Sequence, residues 1–231
     1  MTIAALIVAA GRGSRMGGSR PKALLALGGT PMLGRAVGAF AAHPRIETIV
    51  AAVADPEEAR AALGADASRV TLVRGGAERH DSVRLGLEAI GGSEIVLVHD
   101  AARPLVPRRI IDAVIEAAER HGAAIPVLAV TDTVKRLRED GTVAATVPRE
   151  DLRLAQTPQG FRADVLRAAY ERAEGAGDFA TDDAGLVERA GGRVVTVEGA
   201  LVNMKITTPA DLDLAEALIE RQARAKHRPH G

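Results

Sequence analysis

Arg12, Arg15, Arg20 and Lys22 interleave with Gly11, Gly13, Gly17 and Gly18, immediately downstream of the apolar run Leu6-Ile7-Val8. Glycines let a backbone turn tightly and bring its N–H groups against a ligand. Together with fixed positive charge they suit a polyphosphate: the amides cradle its oxygens and the cations neutralise charge that develops during transfer. Two familiar glycine loops are excluded. The dinucleotide fingerprint needs a glycine where this chain has Met16, and an acid about 20 residues further on; the first acid in the chain is Glu47. A Walker loop ends in Gly-Lys-Ser/Thr, whereas Lys22 lies between Pro21 and Ala23. An ordinary glycine-rich turn with solvated arginines has the same composition, so the stretch alone does not decide.

Two further polar insertions follow apolar runs. Gly75-Gly76 succeeds Val70 to Val73, and His99-Asp100-Ala101-Ala102-Arg103-Pro104 succeeds Ile95 to Val98. An Asp at a strand end suits Mg²⁺ or a ligand hydroxyl, and the planar fork of Arg103 suits a phosphate. The alternative is that Asp100 caps the next helix and Arg103 pairs with it. No Ser-His-Asp or paired-carboxylate arrangement is visible. His43, His80 and His121 lack metal-ligand spacing, His227 and His230 fall on the tail, and His99 reads as a histidine packed at a strand end.

The elements that must position these residues alternate in type. The N-terminal run predicts a first strand rather than a leader peptide. Thr30-Pro31 predicts a helix start running to about Ala41. Ile46 to Val53 reads as a strand, Asp55-Pro56-Glu57-Glu58 as a capped helix start, Val70 to Val73 as a strand and Glu78 to Ile90 as a helix. Further on, Ala163 to Ala173 and Thr181-Asp182-Asp183 through Ala190 read as helices, Val194 to Val197 as a strand, and Thr208-Pro209 as the opening of a last amphipathic helix. Leu154 to Gly160 reads as an extended linker. Val202 to Ile206 reads as a short strand that sets Asn203, Lys205 and Thr207 in alternation. Strand–helix alternation implies an α/β fold: a Rossmann-like, mostly parallel twisted sheet with helices on both faces. Ligands of such sheets sit beyond the carboxyl ends of the strands, so the three polar insertions are expected to converge on one crevice.

Residues 131–150 break the pattern. Thr131 to Arg138 and Thr142 to Val147 alternate with polar residues around Asp140-Gly141, a hairpin signal. With little apolar surface, this arm is expected to protrude and clasp a second subunit. Residues 1–221 are therefore read as one domain carrying the arm, and 222–231 as a flexible basic tail.

Composition narrows the partners. Thirty basic and 30 acidic residues give a formal charge of zero, and aromatics make up 2%. That speaks against a nucleic-acid surface. No apolar stretch reaches the length of a membrane span, and the expected address is the cytoplasm. Cysteine is absent, which removes disulfides, thiolate metal sites and a thiol nucleophile.

AAGRGSRM and RPK are followed in order by GGAERHDSV, VHDAARP, DTVKR, TVPRE, TPQGF, TDDAGLVE and NMKITTPADLDLAE. Over nearly the whole chain these segments resemble the 2-C-methyl-D-erythritol 4-phosphate cytidylyltransferase family of the non-mevalonate isoprenoid pathway. The resemblance implies a homodimer held partly by the arm and Mg²⁺-dependent transfer of CMP from CTP onto methylerythritol phosphate, releasing pyrophosphate. By position, Arg15 and Lys22 correspond to cations at the α-phosphorus, and Arg149 and Lys205 to those that hold the acceptor phosphate. Ala9, Ala10, Gly76, Ala77 and Ser82 correspond to groups reading the cytosine and ribose, beside Gly11 and Gly13 of the loop. Asp100, Arg103, Thr133, Thr181 and Thr207 map to the acceptor and phosphate pocket, with Asp100 a metal candidate if the CTP phosphates do not hold the ion themselves. Ala77 and Val8 depart from relatives that often carry an acid and a proline there. Ribitol 5-phosphate is an alternative acceptor, another nucleotidyltransferase of the same fold acting on a sugar 1-phosphate is a second alternative, and a nucleotide-binding regulator without catalysis is an alternative of another class.

Overall fold

A computed structural model describes residues 1–11 and 21–226. The chain opens with β1 (Ile3–Ala9), whose alternating side chains enter two different cores. A small hairpin, β2 (Ala26–Leu27) and β3 (Thr30–Pro31), leads into α1 (Met32–Ala41). Pro31 is the N-cap and Thr30 lies in β3, so the expected Thr30 cap is corrected by one residue: Thr30 pairs with Leu27 instead. Next come β4 (Ile46–Val53) and α2 (Pro56–Leu63), which the Asp55 side chain caps by accepting from the N–H groups of Glu57 and Glu58. β5 (Thr71–Arg74), α3 (Arg79–Ile90) and β6 (Ile95–Asp100) follow. Glu78 caps α3, in a reciprocal box with Asp81.

Beyond Pro104 lie α4 (Arg108–His121) and β7 (Ala123–Ala129). The arm is β8 (Val134–Leu137) and β9 (Val143–Val147), a two-stranded antiparallel ribbon separate from the main sheet. β10 (Arg153–Ala155) and β11 (Gln159–Arg162) replace most of the expected linker. α5 (Ala163–Ala176), α6 (Asp183–Arg189), β12 (Val195–Glu198) and α7 (Pro209–Lys226) complete the order. The last helix carries residues 222–226 of the expected tail; 227–231 lie outside the described residues.

The main sheet has the order β10-β7-β11-β6-β1-β4-β5, with β12 pairing β7. β1, β4, β5 and β6 pair in parallel, as does β12 with β7. β11 is antiparallel to both of its neighbours. It is fully part of the interior: Phe161 is 0% exposed, and a Cβ on Gly160 would come within 2.5 Å of Val114 Cγ1. Only glycine lets α4 approach this strand so closely.

Both faces of the sheet are covered, which is why β1 and the Ile95 to Val98 stretch of β6 are apolar. Ile3, Ala5 and Ile7 meet Leu33, Val37 and Phe40 of α1 and Ile110, Ile111 and Val114 of α4. Ala4 and Leu6 meet Val83 and Leu87 of α3 together with Leu166, Tyr170 and Leu186 of α5 and α6. Burial of each large side chain contributes about 1.5–3 kcal/mol, so these layers hold the strand ends in place.

The expected strand over Val202 to Ile206 is not formed. Side chains, not a neighbouring strand, satisfy its Asn203 carbonyl, which accepts from Arg103 Nη1 at 2.8 Å and from Gln156 Nε2 at 3.3 Å. The segment is fastened by buried polar groups, and that suffices to satisfy its backbone.

Candidate active site

The carboxyl ends of β1, β4, β5 and β6 open on one cleft of about 660 Å³. Its floor is made of small residues. Ala9, Ala10 and Gly11 leave β1; Gly75, Gly76 and Ala77 leave β5; Ala101 and Ala102 leave β6. These turns are held by backbone bonds, Gly75 N–H to Val53 O at 2.8 Å and Ala101 N–H to Val8 O at 3.0 Å. Ser82 locks the second turn: its Oγ accepts from Gly76 N–H at 3.2 Å and donates to Glu78 O at 3.1 Å. A Cβ on Gly76 would lie 2.1 Å from Asp81 Cβ, so the close approach of loop to helix cap requires glycine.

Cations and one buried carboxylate form the wall. Lys22, Lys205, Arg74 and Arg79 line the cleft. Asp100, at the end of β6, is ion-paired to Lys205 Nζ at 2.7 Å and to Arg79 Nε at 3.4 Å. Burial pushes its carboxyl up, but the charges of Arg79 and Lys205 outweigh that and hold it well below the usual carboxylate range. Asp100 therefore stays charged and does not act as an acid at neutral pH. Thr207 also lines the cleft, and its hydroxyl donates to Asp211 Oδ2 at 2.8 Å. The backbone and side chain of Thr207 lower the Asp211 carboxyl to about 2.

His99 is fully buried. Its Nε2–H donates to Arg103 O at 3.0 Å, which leaves Nδ1 to accept from the Thr157 hydroxyl at 3.1 Å. Thr157 Oγ1 accepts in turn from Asp100 N–H at 3.1 Å. Burial pushes the imidazole down to about 4. It is a neutral strut for the β6 end and offers no nitrogen to the cleft.

Of the residues singled out in the sequence, Ala9, Ala10, Gly11, Gly76, Ala77, Ser82, Lys22, Asp100, Lys205 and Thr207 all line this cleft. Arg15 and Gly13 lie outside the described residues. Four others are not brought to the cleft wall. Arg103 donates to Asn203 O and to Ala155 O, at 2.8 and 3.3 Å, which ties the segment after β12 and the end of β10 to the end of β6. Thr133 and Thr181 are exposed. Arg149, at the base of the arm, is exposed and donates to Thr131 O. Motif reading missed two cations that line the cleft, Arg74 and Arg79. The partners of Arg79, Asp100 and Asp183, stand 21 and 104 positions away, a separation that leaves no local signal.

The described residues hold no group of three or more His, Asp or Glu side chains placed to bind a metal. Asp100 and Glu78 are the carboxylates lining the cleft, and Asp100 already faces two cations. Such a donor set fits a divalent ion held mainly by the phosphates of an incoming nucleotide.

Comparison with known proteins agrees with this geometry. Residues 3–221 match the family model described as IspD, 2-C-methyl-D-erythritol 4-phosphate cytidylyltransferase. The cytidylyltransferase of that name from Frankia casuarinae is 50% identical over 95% of this chain and 82% of its own length. The bifunctional enzyme IspD/IspF of Rhodospirillum rubrum is 52% identical over 94% of this chain, which spans 56% of that longer protein. Among solved structures, the Thermus thermophilus enzyme superposes with a TM-score of 0.80 at 42% identity, covering 95% of this chain and all of its own. The chain belongs to the 2-C-methyl-D-erythritol 4-phosphate cytidylyltransferase family.

Proposed function

We propose that this protein transfers CMP from CTP to the phosphate of 2-C-methyl-D-erythritol 4-phosphate, releasing pyrophosphate, as a step of isoprenoid biosynthesis. The observation that carries the reading is the cleft itself. Small residues and backbone turns leave space for a nucleotide at one end, and Lys22 and Lys205 meet it from different elements. In the reaction an oxygen of the acceptor phosphate bonds to the α-phosphorus as the bond to the β-phosphate oxygen breaks. That oxygen is already anionic, so no general base is required, and the neutral, committed His99 accords with this. The obstacle is repulsion between two phosphorylated anions, and positioned cations are the appropriate remedy.

In this reading Lys22 and Arg15 stabilise charge at the α-phosphorus. Ala9, Ala10, Gly11, Gly13, Gly76, Ala77 and Ser82 surround the nucleoside and its phosphates. Lys205 and Arg149 orient the acceptor phosphate, with Thr207, Thr181, Thr133, Arg103 and Asp100 around it. Mg²⁺ arrives with CTP and neutralises part of the triphosphate charge. The exposed arm supports a homodimer: Leu137 and Val143 are 58% and 52% exposed on an isolated ribbon, and two strands alone are marginal in water. In such a dimer Arg149 and Thr133 would reach the partner's cleft. Residues 1–221 act as one catalytic domain.

Pyrophosphate release with CTP and Mg²⁺ tests the reading, comparing methylerythritol phosphate with ribitol 5-phosphate. Release with the first alone is expected. Release with ribitol 5-phosphate alone would overturn the acceptor. CTP binding without turnover on either would favour a regulator.

A further inference from the structure

Arg79, the first residue of α3, reaches two carboxylates from distant parts of the chain. Its Nε donates to Asp100 Oδ1 at 3.4 Å, and its Nη2 donates to Asp183 Oδ2 at 2.7 Å. Asp183 begins α6 and is fully buried; its other oxygen accepts from the Tyr170 hydroxyl at 2.6 Å. The neighbouring His80 stacks on Phe179, with ring centroids 3.7 Å apart and planes 11° from parallel. Arg79 and His80 thereby fasten residues 179–183, which include Thr181, to the helix whose preceding loop floors the nucleotide end of the cleft.

The charges around this point balance. Arg79 and Lys205 face Asp100 and Asp183, so the group has no surplus cation for a phosphate unless one member turns away. Arg79 is held by both carboxylates, whereas Lys205 is half-exposed and touches Asp100 alone among them. An ammonium on a flexible stem turns toward a phosphate more readily when its carboxylate is shared with a second cation.

We propose that Arg79 is a positioning residue for the acceptor half of the site: it shares the charge of Asp100, which frees Lys205 for the acceptor phosphate, and it fixes the Thr181 segment through Asp183. The proposal rests on the cytidylyltransferase reading. Arg79 makes no contact with the reacting atoms in it. Its effect is transmitted by Lys205 and by the start of α6.

Steady-state kinetics and calorimetric binding of Mg·CTP test it on Arg79→Gln, Arg79→Lys and Lys205→Ala, singly and as Arg79→Gln with Lys205→Ala. Arg79→Gln is expected to raise KM for methylerythritol phosphate on the order of tenfold while the Kd for CTP stays within about twofold. Arg79→Lys is expected to recover part of that loss, since a lone ammonium restores charge beside one carboxylate but cannot span both. The loss in the double variant is expected to be smaller than the product of the single losses, because Arg79 acts through Lys205. A parallel rise in KM for CTP, or full multiplication in the double variant, would overturn the proposal. Should Arg79→Gln fail to fold, Arg79→Gln with Asp183→Asn removes the unpaired buried charge and is read in the same way. Inactivity of the unaltered protein with methylerythritol phosphate would instead count against the functional reading itself.

Discussion

The cleft and the arm are built on opposite terms. The turns around the cleft leave strands of the main sheet, and its charged groups face one another at fixed distances, Asp100 with Lys205 and Arg79. The arm is a two-stranded ribbon whose contacts are its own: Lys135 Nζ donates to Thr146 Oγ1 at 2.7 Å, and Asp140 Oδ1 accepts from Thr142 N–H at 2.9 Å. The difference teaches where chemistry is prepared in advance and where it waits. Groups on the cleft are preorganised by the core, whereas Arg149 and Thr133 are exposed at the base of the arm.

Substitutions at the two regions are accordingly expected to fail in different ways. Lys22→Ala should have the largest effect, on the order of 10²- to 10³-fold in kcat with a much smaller change in CTP affinity, because the charge it meets is greatest in the transition state; equal losses in kcat and in calorimetric CTP affinity would remove that contrast. Acidification should come next and strike the cleft side. His99 is held at about 4 against its ordinary 6.5. The unfolded chain therefore takes a proton below about 6.5 that the folded chain refuses until about 4, so the His99 contribution is lost as pH drops through that window; below it Asp100 and Asp211, held under the usual carboxylate range, continue the fall. The loss from His99 is about 3 kcal/mol, read from denaturant midpoints against pH, and His99→Gln should flatten it. The arm contains no histidine, and its Asp140 carboxyl, which the hydrogen bonds from Thr142 hold below the usual range, contributes only as pH falls through the ordinary carboxylate range.

Arg149→Ala should raise the KM for the acceptor roughly tenfold and leave CTP binding intact. If the arm serves a neighbouring subunit, mixing this variant with Lys22→Ala should restore turnover, because each mixed dimer then has one intact site. An unchanged rate on mixing would place the arm's action within its own subunit. Lys135→Ala should be smallest, within about 0.5 kcal/mol in thermal unfolding and neutral for CTP, since an exposed pair on a ribbon contributes little.

How much of this was legible depended on whether the cause was local. Ile46 to Val53 forms a strand with the bounds its apolar run suggests, and Asp55 caps α2 as its type and place require. The three polar insertions do converge, because parallel strands deliver their carboxyl ends to one side. β11 escaped because TPQGF has one large apolar residue. Gln159 is buried for a distant reason, with its amide donating to Asp182 and accepting from Ala184 N–H. Val202 to Ile206 looked like a strand because alternation does not register Arg103 and Gln156 arriving from elsewhere to satisfy the carbonyls. α4 and β7 lie between Pro104 and Thr131, a stretch assigned no element from the sequence, although Ile110, Ile111, Val114 and Ile115 have the spacing of a buried helix face. Arg79 shows the limit most plainly. Its role follows from two partners that only the fold brings near.

The antiparallel insertion of β11 also bears on how the chain is made. β1, β4, β5 and β6 leave the ribosome first and have each other to pair with, but the β6 edge that receives β11 stays bare until residue 162 is synthesised. During that interval the growing chain carries an unpaired apolar edge, Val96 and Val98 included, of the kind that invites association with other chains. The arm is translated within the same interval, as part of the loop that β11 must close. Loop closure becomes only slowly more costly with length, so the arm can lengthen or change in sequence with little delay to assembly of the sheet. A shift of β11 itself would leave the two halves of the sheet without their seam.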